Sequence, residues 1–434
     1  MHPKTLLEAA TELTRLALRF DHPFDAVAQR YFREQRSLGA RDRALLSDVV
    51  FSVLRRKQAF DHLARQGAQG VKPPKGMTPE RRLAILGLGL QGDETAHWLE
   101  AALTPEEAAW LQACAQADRS EWPEACHHNL PDWLAERLRA QVGDEFGALA
   151  ESLLQPAPLD LRTNVMKEKR AAVQQQLGQD AIKTEATPYS PWGLRVAGKP
   201  SLAKLDAYQR GAIEVQDEGS QLLALLMDAR RGEMVADFCA GAGGKALAMG
   251  AAMRNTGRLY AFDTSAHRLQ ALKPRLQKSG LTIVYPTAIA HENDERLARL
   301  AGKMDRVLVD APCSGLGTLR RSPDLKWRQK PADIDALATQ QQAILSAAAR
   351  LVKPGGRLVY ATCSLLPDEN EAVAAAFDTA QGRGFAPLSV VELLAAARVA
   401  QADSLCTGDG RYLRLWPHRH GTDGFFAAAW QRAS

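Results

Sequence analysis

Cysteine is scarce in this sequence. Six stand in 434 residues, at Cys114, Cys126, Cys239, Cys313, Cys363 and Cys406, and no two form a Cys-x-x-Cys pair. That usage argues against the disulfide framework on which small secreted domains depend. Long hydrophobic runs are also missing. Ala246–Met253 is apolar but falls well short of the roughly 18 residues a membrane helix needs, so no membrane partner is expected. The N-terminus carries Glu8 and Glu12 where a signal peptide would be uninterrupted hydrocarbon, so the chain is expected to stay in the cytosol. Cys126-His127-His128 has no second ligand pair nearby and reads as a solvent-facing loop rather than a metal site. No metal is expected.

What is present describes a soluble globular chain too long for a single core. The net charge of +5 is mild but uneven. Residues 1–60 hold eleven Lys/Arg against seven Asp/Glu, and residues 303–330 hold seven against three. Clustered positive charge attracts phosphate backbones, although a solvated helix face is the commoner meaning of one basic cluster.

The first 150 residues read as a helical domain. Apolar residues recur at three- and four-residue steps over Thr5–Arg19 and Arg43–Leu63, with further helices at Leu83–Leu90 and after Pro105. β-branched alternation is scarce there. A small α+β insert is expected over 157–215, with strands at Leu159–Asn164 and Leu194–Val196 and a polar helix at Lys167–Gln176. From residue 216 onward strands and helices alternate. Val235–Phe238, Leu259–Asp263, Arg306–Asp310 and Arg357–Thr362 are the strands, and Ala266–Lys278 and Ile334–Leu351 the helices. Such alternation predicts a doubly wound α/β sheet whose ligands bind beyond the carboxyl ends of its strands.

Three constellations fall at those strand ends. Cys239-Ala240-Gly241-Ala242-Gly243-Gly244-Lys245 lets the backbone approach a ligand closely, ahead of a helix N-terminus. The next strand ends in Asp263, and an acid there accepts both hydroxyls of an adenosine ribose. The loop is not Gly-x-Gly-x-x-Gly, so an adenosine cofactor without a bound pyrophosphate fits better than a dinucleotide. The other two are Asp310-Ala-Pro-Cys313-Ser-Gly and Ala361-Thr-Cys363-Ser. A lone buried cysteine is usually structural. Two at the rim of such a sheet, each in a turn of small residues, reverse that expectation.

Phe238-Cys-Ala-Gly-Ala-Gly-Gly-Lys, Asp263-x-x-x-x-Arg268, Asp310-Ala-Pro-Cys, Arg320-Arg-x-Pro-Asp-x-Lys-Trp327, Ala361-Thr-Cys-Ser and Asp423-Gly-Phe-Phe426 occur in that order. Together they resemble the RNA cytosine-C5 methyltransferases of the Sun/Fmu type, over about residues 157–432. Gly39-Ala-Arg-Asp-Arg-Ala-Leu-Leu, with Val53-Leu-Arg-Arg and Phe60-Asp-His-Leu, is similar to the NusB-like RNA-binding domain of the bacterial 16S ribosomal RNA members. The resemblance implies a Rossmann-like α/β methyltransferase fold, S-adenosylmethionine as cofactor and structured RNA as partner, 16S ribosomal RNA ahead of transfer RNA. It implies that Cys363 attacks carbon 6 of a flipped cytosine and that Cys313 assists product release, the reverse of the related DNA enzymes. It further implies that the 239–245 loop, Asp263 and Arg268 hold the cofactor, with Asp310 on the cytosine edge or the cofactor's methionine end and Lys245 orienting loop or base. Arg320, Arg321, Lys326 and Trp327 would line the rim as phosphate contacts and a stacking surface, and Trp327 suits core packing against the next helix equally well.

The chain departs from the family pattern in two places. The usual Cys-Ala-Ala-Pro-Gly-Gly-Lys-Thr loop has lost its proline and hydroxyl, which should loosen it. The acid that contacts the adenine amino group should fall near Ile289–His291, where none stands, leaving Glu292, Asn293 or Asp294 as substitutes. From a different class, a NusB-like assembly factor with a degenerate methyltransferase fold would not need two rim thiols. A cysteine hydrolase would need a histidine base that no motif supplies. Nothing in the sequence requires more than a monomer.

Overall fold

The computed structural model describes residues 2–90 and 96–434. It divides into two compact units, and the division does not follow the order of the chain. The helical unit runs to Pro156 and also takes in Leu319–Gln329, while the second unit holds Ala157–Thr318 and Lys330–Ser434. The small insert and the alternating region therefore lie in one unit, and the helical domain gains a segment from far downstream.

In the helical unit the caps follow local chemistry. The helix Pro105–Ala115 opens on Thr104, whose hydroxyl accepts from Glu107 N while the Glu107 carboxylate accepts from Thr104 N. The apolar stretch expected as one helix over 43–63 is two, Ala40–Arg55 and Lys57–Gln66, broken at Arg56. The break has a tertiary cause. Asn129 Oδ1 accepts from Ala59 N at 3.0 Å and so satisfies an amide in the first turn of the second helix. Cys126 and His128 are buried on the helix Glu124–His128, where the sequence suggested a solvent-facing loop. His128 Nδ1 accepts from Leu130 N at 3.0 Å, so local backbone bonding explains its burial.

The second unit has two sheets. β1 (Leu159–Thr163), β2 (Thr184–Ala186), β3 (Gly193–Val196) and β4 (Ile213–Val215) form an antiparallel sheet in the order β2-β3-β1-β4. The larger sheet holds β5 (Met234–Asp237), β6 (Arg258–Asp263), β7 (Val284–Ala288), β8 (Met304–Asp310), β9 (Val352–Thr362), β10 (Phe385–Pro387), β11 (Tyr412–Leu415) and β12 (Phe425–Arg432). Its parallel part runs β9-β8-β5-β6-β7, and β12 lies antiparallel to β9, carrying β10 and β11. The strand order reverses between β5 and β8, the switch point at which a doubly wound sheet opens a crevice.

Side chains on the central strands alternate between two cores. On β9, Val359 and Ala361 join the core formed with the helices Glu218–Met227 and Gly244–Ala252. Leu358 and Tyr360 join the core beneath the helices Pro331–Ala349 and Glu371–Gln381. β12 divides its residues in the same way, which is why its alanine-rich run gave no half-polar alternation in the sequence. No described helix is long and apolar enough to cross a membrane.

Candidate active site

The glycine loop follows directly from β5. Ala240 N donates to Phe262 O, and Gly241 N to Asp263 Oδ2, each at 2.8 Å, so the loop hangs from the end of β6. Gly243 has φ +79°, and a Cβ there would lie 2.2 Å from Leu272, so only glycine fits. The proline-free loop is held by two guanidiniums instead. Arg275 donates to Ala242 O at 2.6 Å, and Arg162 on β1 donates to Gly244 O at 2.7 Å.

A cleft of about 440 Å³ opens at the carboxyl ends of β5, β6 and β8. Asp263, Arg268, Asp310, Cys313 and Cys363 all face it, as do Cys239, Ala240, Gly241 and Ala242. Of the three candidates to replace the missing acid, Glu292 alone lines it. Asn293 is engaged with Arg350, and Asp294 with Ala290 N and the Arg296 guanidinium. Gln340 and Ile344 also line it, and no signal in the sequence distinguished them. No histidine is among the described residues lining the cleft, so a cysteine–histidine hydrolase has no base here.

β8 and β9 are parallel neighbours with Asp310 opposite Ala361, so the turns that follow them emerge side by side. Cys313 Sγ and Cys363 Sγ are 3.3 Å apart, within hydrogen-bonding reach for sulfur. Gly317 lets the Cys363 turn close. A Cβ there would lie 2.1 Å from Gly424 O, while Gly317 N donates to Cys363 O at 2.8 Å. The Asp423-Gly-Phe-Phe segment thus braces the Cys363 turn from β12.

Arg268 faces the cleft directly, and Lys245 lies behind its lining, paired with Asp310. Lys245 Nζ lies 2.5 Å from Asp310 Oδ2. Burial alone would disfavour the ammonium, but Asp310 outweighs it and holds Lys245 above the ordinary lysine range. The Cys363 sulfur, then burial, push the Cys313 thiol well above its usual range, and it is a neutral donor near pH 7. Burial, then Asp237, Asp310 and Asp263, do the same to Cys239, which leaves it a poor nucleophile.

Asp237, at the end of β5, is 1% exposed, with only the Ala246 backbone N–H aimed at its carboxylate. Burial, then the Asp310 charge, push it up to about 7. An unfolded aspartate titrates near 4, so the contribution of Asp237 to stability is full below about pH 4 and lost as pH rises through about 7. Asp237→Asn is expected to raise the thermal midpoint at pH 8 and to flatten the fall between pH 4 and 7 by on the order of 4 kcal/mol. Parallel stability curves for the two proteins would refute this.

The basic segment after β8 is placed elsewhere. Lys326 is 2% exposed inside the helical unit, where its Nζ donates to Arg55 O at 2.8 Å. Trp327 is packed against the same helices, its Nε1 donating to Leu54 O at 2.7 Å. Both satisfy carbonyls left open at the end of the helix Ala40–Arg55. Arg320 is buried, donating to Pro156 O while its own carbonyl accepts from Arg55, and Arg321 is half-buried. Helix ends, not phosphates, explain Lys326 and Trp327. Lys326→Met is expected to leave the salt dependence of RNA binding unchanged. A slope in log K against log salt reduced by about one would restore a phosphate contact.

Comparison with known proteins places this geometry. A family model described as 16S rRNA methyltransferase RsmB/F matches residues 224–431. A second, for the ferredoxin-like domain of RsmF/B-like methyltransferases, matches residues 130–203. The chain is 33% identical to the probable ribosomal RNA small subunit methyltransferase B of Synechocystis, over 92% of this chain and 93% of that one. The solved structure of PH0851 superposes with a TM-score of 0.76 at 25% identity, covering 100% of this chain and 99% of that one. NSun6 of Pyrococcus horikoshii, solved with SFG, shares the fold at a TM-score of 0.61 and 21% identity, over 70% of this chain and 98% of that one.

Proposed function

Because the chain belongs to the RsmB/F family of 16S rRNA methyltransferases, we propose that it forms 5-methylcytosine in small-subunit ribosomal RNA through a covalent adduct on Cys363. The observation that carries this reading is the pair of sulfurs 3.3 Å apart, beside Asp310 in the cleft. S-adenosylmethionine is the methyl donor, and when bound it supplies an electrophilic methyl group on a sulfonium. The lining of the cleft supports this: Asp263 would take the ribose hydroxyls, the 239–242 backbone would allow close approach, and Glu292 would meet the adenine edge in place of the expected acid.

The chain's own groups then do the following. Carbon 5 of cytosine is too weak a nucleophile to take a methyl group unaided. Addition of the Cys363 thiolate to carbon 6 makes the ring an enamine-like nucleophile at carbon 5, splitting one difficult step into easier ones. Asp310, fixed by Lys245, is placed to hold the cytosine edge. After methylation the carbon 5 proton passes to solvent water, and the electron pair it leaves re-forms the carbon 5–carbon 6 double bond as the Cys363–carbon 6 bond breaks, that bond's pair staying on sulfur. A Cys313 S–H donating to the departing sulfur stabilises it as thiolate. The base must leave its stack to reach these groups, so an unpaired or flipped cytosine is the substrate.

Methyl transfer from tritiated S-adenosylmethionine to unmodified 16S RNA and transfer RNA, in parallel reactions, tests the reading. Label recovered as 5-methylcytosine from 16S RNA alone is the expected result. Label in transfer RNA alone would reassign the substrate, and label in neither, with no cofactor binding, would leave an RNA-binding assembly factor.

A further inference from the structure

We propose that Glu369 is the positioning residue for both cysteines, its buried carboxylate tying the turn after Cys313 to the turn after Cys363 and so setting the distance between the two sulfurs. The proposal rests on the two-cysteine reading of the cleft given above.

Glu369 is 0% exposed. Its Oε1 accepts from Ser314 N at 2.8 Å and from Gln341 Nε2 at 3.0 Å. Its Oε2 accepts from Ser314 Oγ at 2.6 Å and from Ser364 Oγ. Ser314 follows Cys313 directly, and Ser364 follows Cys363. No lysine or arginine among the described residues forms an ion pair with this carboxylate, so these neutral donors must compensate its burial. Four donors match the lone-pair sites of a carboxylate, and displacing either turn would leave a buried charge short of a partner.

The arrangement is not a helix cap. The following helix, Glu371–Gln381, receives no side-chain cap bond at its start. The Glu369 side chain instead reaches back to the two turns. Tyr360 OH, on β9, donates to the Glu369 backbone carbonyl and holds the residue from the strand side. Asn370 adds a second tie to the same turn, its Nδ2 donating to Ser364 O at 3.0 Å and its Oδ1 accepting from Thr362 Oγ1. The Glu369 charge also adds to the influences that hold the Cys313 thiol protonated, after Cys363 and burial.

The test compares the parent chain with Glu369→Ala, Glu369→Gln and Ser364→Ala in two readouts. The first is closure of the Cys313–Cys363 disulfide by the diazene diamide. The two thiols give up two electrons and two protons, the S–S bond forms, and the diazene is reduced to its hydrazine. Because closure depends steeply on sulfur separation, Glu369→Ala is expected to slow it about tenfold. Glutamine keeps an acceptor for Ser314 N and an amide facing the hydroxyls, so Glu369→Gln should stay near the parent rate. Ser364→Ala, which removes one tie and little volume, should fall between.

The second readout is methyl transfer. Glu369→Ala is expected to lower kcat by about 100-fold with KM for S-adenosylmethionine nearly unchanged, since a misplaced reacting group costs rate rather than cofactor binding. Glu369→Gln should recover most of it. Unchanged closure and kcat in a folded Glu369→Ala protein would overturn the proposal. So would parallel losses of kcat, cofactor affinity and thermal midpoint in Glu369→Gln. Should Glu369→Ala not fold, an unaltered closure rate in Ser364→Ala would overturn it. A parent protein that closes its disulfide in a Glu369-dependent way yet transfers no methyl group would sink the covalent reading alone.

Discussion

Cys363→Ala is expected to abolish methyl transfer, with a loss of at least about a thousandfold, because removing a covalent nucleophile removes the route itself and not one contact along it. On the proposed reading the loop that hangs from Phe262 and Asp263 holds the cofactor while Cys363 serves the base, so affinity for S-adenosylmethionine should change less than twofold, roughly the scale of a surface effect. The substitution should also alter its neighbour. The Cys363 sulfur is the largest of the influences raising the Cys313 thiol, so in this variant Cys313 should alkylate at lower pH than in the parent. Filter-bound tritium, equilibrium cofactor binding and an alkylation pH profile measure the three effects. Substantial residual transfer would move the nucleophile to Cys313.

Cys313→Ala should behave differently. Attack by Cys363 and methylation of carbon 5 remain open to it. What it loses is the S–H donor 3.3 Å from the sulfur that must leave. A thiolate departing without that donor in a buried site is a poor leaving group, so the adduct is expected to accumulate and turnover to stop near one event per enzyme. The observable is a protein–RNA species that survives denaturing electrophoresis and carries the tritium label. The same species appearing with Cys363→Ala, and not with Cys313→Ala, would exchange the two roles. Cys239 cannot rescue either variant, since burial and three nearby carboxylates hold its thiol protonated.

Much of this candidate site was legible in the sequence. Asp263 and Asp310 each end a strand of a doubly wound pattern, Cys313 and Cys363 stand in the turns just beyond two such ends, and strand ends are where such a fold gathers its chemistry. What the pattern could not supply was the group that joins the two cysteine turns. Glu369 stands in the run Asp-Glu-Asn-Glu just ahead of a helix, where acids ordinarily complement the helix dipole. Its carboxylate turns the other way, a choice visible only once β8 and β9 are paired.

The basic stretch 320–328 shows the opposite failure. Arginine, lysine and tryptophan in sequence carry no mark that separates a nucleic-acid rim from a helix-end seal, because phosphates and open backbone carbonyls want the same donors. The helix Ala40–Arg55 ends with carbonyls to satisfy, and the chain returns some 270 residues later to satisfy them. The break at Arg56 has the same origin, an amide capped by Asn129 from elsewhere in the unit.

The amino-acid sequence by itself determined the alternation of strands and helices, the glycine loop, and the residue types at the strand ends. Those are short-range properties, written in periodicity and in the few residues that special backbone angles admit. The tertiary structure alone decided which thiol meets which, what holds them, and where the downstream basic segment lodges. Such matters depend on partners brought together from distant parts of the chain to satisfy buried polar groups, and a linear pattern does not record them.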